Sequence, residues 1–108
     1  VSYDICLVID TGGPEPIEVV EVGNHTSNVS MMWAWALGVG LRDYAGVPCE
    51  RALAPLRDGI RRMEADPDFY RPLTRNPKWG DYDGALAFLR KLADACEAHP
   101  KCRIEISA

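Results

Sequence analysis

The first 41 residues of the chain contain no lysine and no arginine, although the whole sequence holds twelve. Five acids (Asp4, Asp10, Glu15, Glu18 and Glu21) fall in that stretch, and every basic residue lies from Arg42 onward. The net charge of −4 therefore hides a two-sided distribution, which bears on partners more than on fold. Long apolar runs are also missing. The longest, 29–41, is interrupted by Ser30, Gly38 and Gly40 and falls short of the ~18 to 20 residues that cross a bilayer, so no membrane partner is expected. No basic stretch precedes Ile5, so no secretory signal peptide is expected. Cysteine is sparse: Cys6, Cys49, Cys96 and Cys102 form no CxxC pair and are too few for a disulfide-stapled secreted scaffold. They read as reduced thiols, and the expected compartment is the cytoplasm. G-x-S-x-G, H-E-x-x-H and carboxylates paired at fixed spacing are all absent, so no enzyme class is indicated and no cofactor is expected.

What is present suits one α+β domain covering residues 1–108, since two cores in so short a chain would each be marginal. Residues 3–10 alternate, with Tyr3, Ile5, Leu7 and Ile9 against Asp4, Cys6, Val8 and Asp10, the period of a half-buried strand. The turn formers of 11–16 then lead into the β-branched run 17–22, its antiparallel hairpin partner. Residues 23–28 read as a polar loop from which Ser27 or Asn28 caps a helix ending at Gly38 and Gly40.

Pro48 opens a second helical pattern through Leu53, Leu56, Ile60 and Met63, and Pro55 predicts a kink or a break into two helices. Residues 68–80 lack periodicity and read as a loop pinned by Phe69, Tyr70 and Trp79. A last helix over about 81–98, with Asp81 as N-cap, precedes a final strand through Cys102, Ile104 and Ile106. The expected order is ββαααβ, a small sheet with helices packed on one face.

Four patterns invite chemistry. Cys96, His99 and Cys102 form C-x2-H-x2-C, which with Cys6 would offer zinc soft ligands; both cysteines fall on core faces, so a structural role is favoured and no metal is assigned. Asp10-Thr11-Gly12-Gly13 lacks the lysine and following helix of a phosphate loop and reads as a hairpin turn. Asn24, His25, Thr26 and Asn28 put polar side chains before a helix N-terminus, a place that favours anions, with a histidine able to move protons near neutral pH. Arg71, Arg75 and Lys78 interleave with aromatics as a nucleic-acid surface can, with Arg57, Arg61 and Arg62 on a nearby helix, yet a pI near 5.1 makes nucleic acid an unlikely partner.

The strings VIDTGGPEP and EVGNHTSNVSMMW, with NPKWGDYDGALAFLRKLADACEAHP further on, resemble segments of small uncharacterised proteins of actinobacterial phages and their host genomes. The resemblance covers most of the chain and implies a setting, the bacterial host cytoplasm, without an activity. Val1 in place of Met suits a GTG start in such a genome.

The first expectation is a non-enzymatic accessory factor that binds a host or phage protein, or a second copy of itself as a homodimer. Its expected surface is the Trp- and Met-rich helix, at Met31, Met32, Trp33 and Trp35, because these residue types are enriched at interface cores. The alternative is a small-ligand or nucleotide site, open to a hydrolytic role, built from Asn24, His25, Thr26 and Asn28 with Trp79, Asp81 or Tyr82.

Overall fold

The alternating residues at the start pair on both sides, making the first strand the centre of the sheet. The structure, a computed structural model, describes residues 2–107. Its elements run β1 (Ser2–Ile9), β2 (Ile17–Thr26), α1 (Ser30–Leu37), α2 (Cys49–Ala65), α3 (Pro67–Tyr70), α4 (Tyr82–Ala98) and β3 (Arg103–Ser107), with 3₁₀ turns at Ser27–Val29 and Leu41–Tyr44. The sheet order is β2-β1-β3 and both pairings are antiparallel. The α+β class and the helices on one face are as expected. One difference in order is α3, a single turn inside the segment read as loop.

β1 and β2 pair Tyr3 with His25, Asp4 with Asn24, Ile5 with Gly23, Cys6 with Glu21, Leu7 with Val20 and Val8 with Glu18. The register slips between Ile5 and Cys6 and again between Leu7 and Val8, so β2 carries Val22 and Val19 as extra residues. Gly23, beside the first bulge, takes φ +136, a conformation that glycine tolerates. β3 adds Glu105 opposite Cys6 and Ile104 opposite Leu7. Directly paired residues share a face, so the register sorts the sheet. Tyr3, Ile5, Leu7 and Ile104 enter the core beneath the helices, whereas Asp4, Cys6, Glu18, Glu21 and Glu105 lie on the other face.

Along the outer side of β3 the chain returns once more. The Gly46 amide donates to the Ile104 carbonyl at 2.7 Å, the Ile104 amide donates to Val47 at 3.0 Å, and Pro48 bridges Arg103. Among the described residues, β2 has no such cover on its outer side.

α2 and α4 pack against each other and α1 packs on α2, around Trp33, Leu56, Met63, Leu89 and Leu92, all fully buried. Of the kink or break expected at Pro55, the break does not occur: α2 is one continuous element from Cys49 to Ala65 with the proline inside it. Proline removes the donor that would have served Arg51, whose exposed position lets water take its carbonyl. α1 stops at Gly38, which adopts the left-handed conformation at φ +79 and donates to the Ala34 carbonyl. Among the described residues, no helix is long and apolar enough to cross a membrane.

Candidate functional site

Residues 23–26, read as loop, belong to β2. Cross-strand pairing with β1 outweighs the turn preference of Gly23 and Asn24, and the two polar candidates that follow one another are thereby sent to opposite sides of the sheet. Asn24 is exposed on the helix-free face, where its amide donates to Asp4 Oδ1 at 2.8 Å and to Ser2 Oγ at 3.1 Å. The His25 ring goes the other way, edge-on to Trp33 with centroids 5.2 Å apart and the same distance from Phe88. The backbone at Gly84 approaches so closely that a Cβ there would stand 3.3 Å from His25 Nε2. His25 is thus a packing residue at the rim of the core.

The remaining polar candidates serve local structure. Thr26 Oγ1 accepts from the Asn28 amide at 3.3 Å and from Asn28 Nδ2 at 2.6 Å, capping the 3₁₀ turn. Asp81 is the N-cap of α4 as expected, accepting from the Gly84 amide at 2.8 Å. Tyr82 is buried, and its hydroxyl donates to the Met63 carbonyl at 2.6 Å; Arg71 lies over its ring at 4.7 Å. Trp79, expected to pin its loop, is 69% exposed. Asn24 thus stands on the opposite face of the sheet from His25, whereas His25, Thr26 and Asp81 gather about the backbone of Gly80 and Gly84.

The Trp- and Met-rich helix divides. Met32 and Trp33 are fully buried, which corrects their expected place on an interaction surface. Met31 and Trp35, one turn apart on the outer side, are 57% and 61% exposed. Phe69, another residue expected to pin its loop, is 44% exposed instead and meets Trp35 edge-on at 5.7 Å, while its neighbour Tyr70 is the buried anchor. Met31 also borders a groove of about 240 Å³ whose other wall is Pro72, Leu73 and Thr74, with Arg75 at its mouth. Proximity of Phe69 to Trp35 was not readable from the sequence, because 34 residues separate them and α3 was not foreseen.

The chain matches no family model, no curated protein and no solved structure.

Several other charged and thiol groups are engaged within the fold. Arg57 pairs with Asp94 at 2.9 Å and Glu97 at 3.4 Å, Arg61 with Asp58, and Arg90 with Glu64. Arg62 donates to the Ala36 carbonyl at 2.9 Å. The helix-borne arginines that could have joined Arg71, Arg75 and Lys78 on phosphates are therefore already engaged. Cys49, Cys96 and Cys102 are buried together where the start of α2 meets the end of α4 and the approach to β3. Burial raises the pKa of both Cys49 and Cys96, leaving neutral, poorly reactive thiols. Among the described residues, no group of three or more His, Cys, Asp and Glu is arranged to hold a metal ion.

Proposed function

We propose that this protein is a non-enzymatic interaction factor that docks on a partner protein through Met31, Trp35 and Phe69. The observation that carries the reading is the pair formed by Trp35 and Phe69, two large rings held against each other, the indole mostly open and the phenyl nearly half so. A small domain gains nothing for its own stability from an open tryptophan, and covering one large apolar side chain contributes about 1.5 to 3 kcal/mol. Trp and Met are also the residue types enriched at the centres of interfaces. The resemblance to phage-related proteins supports a bacterial cytoplasm as the setting and a host or phage protein as the partner.

The test is site-specific photo-crosslinking, with a photoreactive residue at position 35 and, as a control, at the exposed position 87 on α4. The expected result is a discrete heterologous adduct from position 35, absent from position 87 and lost when Met31→Glu is added. An adduct of two copies of the chain would replace the partner with self-association. Equal labelling from both positions, or none from position 35, would sink the reading.

A further inference from the structure

The helix-free face of the sheet is ordered by register into three rows. Asn24, Asp4 and Ser107 form the first; Glu21, Cys6 and Glu105 the second; Glu18, Val8 and Arg103 the third. The cation that the register places on this face among the described residues is already committed: Arg103 grips Asp10 through Nε at 3.0 Å and Nη2 at 3.2 Å. Among the described residues, no ion pair reaches Asp4, Glu18, Glu21 or Glu105. On the helices Arg57, Arg61 and Arg90 each meet a carboxylate, and acids without an ion pair among the described residues, such as Glu50 and Asp83, share α2 and α4 with cations such as Arg51 and Lys91. Unmatched charge of one sign is thus concentrated on the surface that no helix covers.

That surface is also shaped. Two shallow depressions, of about 230 and 390 Å³, adjoin through shared walls of Cys6, Glu18 and Glu105. In the larger, apolar walls from Val8 and Pro16 stand among Glu15, Glu18 and Glu105. An apolar wall beneath an acidic rim complements lysine and arginine, which carry a cationic head on an aliphatic stem. Five residues of β1, from Asp4 to Val8, give the trough a length of about 14 Å, room for a short stretch of extended chain.

We infer that the open face of the sheet is a docking surface for a lysine- and arginine-rich segment of a protein partner. Carboxylates brought together across strands repel one another in the free protein, and cations supplied from outside relieve that repulsion. A nucleic acid would be repelled, and a second copy would bring Glu18, Glu21 and Glu105 against the same three residues. Because this face stands apart from Trp35 and Phe69, the inference does not rest on the aromatic patch.

The probe is a fluorescein-labelled decapeptide alternating lysine with threonine, compared with one alternating glutamate with threonine. Anisotropy and ¹⁵N–¹H correlation spectra would be recorded on the full chain. The lysine peptide is expected to bind and to shift amides of β1, β2 and β3, and to weaken severalfold between 50 and 200 mM salt. The glutamate peptide is expected not to bind. Glu18→Gln, Glu21→Gln and Glu105→Gln together are expected to weaken the lysine peptide tenfold or more, whereas Asp83→Asn on α4 leaves it unchanged. Removing like charges preserves the fold, which the spectra of the triple variant report directly, and Glu105→Gln alone provides a milder change in the same direction. The inference is overturned by no binding at 1 mM peptide, by shifts confined to the helices, or by undiminished affinity of the triple variant. Full displacement of the peptide by millimolar magnesium or calcium would overturn it too, marking the trough as a general cation sink.

Discussion

The indole Nε1 of Trp33 donates to the main-chain carbonyl of Ala85 at 3.2 Å, so a side chain near the start of α1 is tied to the first turns of α4. Its ring meets Tyr3 at 5.6 Å, His25 at 5.2 Å and Phe88 at 5.7 Å, drawing the sheet and two helices to one point. Trp33→Ala should therefore cost about 3 to 5 kcal/mol through the lost transfer energy and the cavity. Two residues along, Trp35→Ala removes a mostly exposed ring that meets Phe69 edge-on and should change stability by about 1 kcal/mol or less. Urea unfolding of the two variants side by side checks the contrast, and equal losses would contradict the division of α1.

Tyr82→Phe isolates a single hydroxyl. Met63 lies in the last turn of α2, where carbonyls have no partner within the helix, and Tyr82 Oη supplies one. Removing the donor in a buried position should cost about 1 to 3 kcal/mol. A shift in the urea midpoint with an unchanged slope is the expected result.

Gly59→Ala sets local propensity against packing. In an isolated helix alanine is preferred by about 1 kcal/mol. Here the added Cβ would stand 2.5 Å from Leu37 Cδ2 and 3.3 Å from the Ala36 carbonyl oxygen. The leucine tip can move, but the backbone of α1 moves only with the helix. The net effect should be destabilising by about 1 to 2 kcal/mol, read as a lower unfolding midpoint.

Cys6 links the acidic face to pH. Loss of hydration, the hydrogen bond to Glu18 and the charges of Glu105, Glu18 and Glu21 push its thiol up to about 11 from an ordinary 9.0. The folded state thus holds this proton more tightly than the unfolded chain does. Its contribution to stability is complete below about pH 9 and is lost as pH rises through about 11. The decline between those values should be shallower in Cys6→Ser than in the parent, as measured by urea midpoints at stepped pH. Glu18→Gln should bring the alkylation profile of Cys6 to lower pH.

How far the sequence could be read depended on whether a residue's fate was set locally. β1 keeps a period of two from Tyr3 to Leu7, broken by buried Val8, and α4 carries a stripe through Ala85, Leu89, Leu92 and Cys96, so both are legible. α1 is apolar almost all round, and nothing in its own pattern distinguishes Met31 and Trp35 from Met32 and Trp33; contacts with Ala85 and Phe88, more than fifty residues on, decide it. The end of β2 is hidden in the sequence because Gly23 and Asn24 favour turns in isolation, while the ladder with β1 carries them on as strand. The acidic third was visible as a run along the chain. Its gathering onto one face with Glu105 depends on two bulges and on β3, which only the register shows.

The short return of residues 46–48 along β3 has a consequence for how copies of this molecule could aggregate. With that flank paired over residues 102–104, strand addition is directed beside β2, which has no such cover among the described residues. Two molecules joined there would each turn outward a flank already paired over residues 102–104, which works against growth beyond the pair.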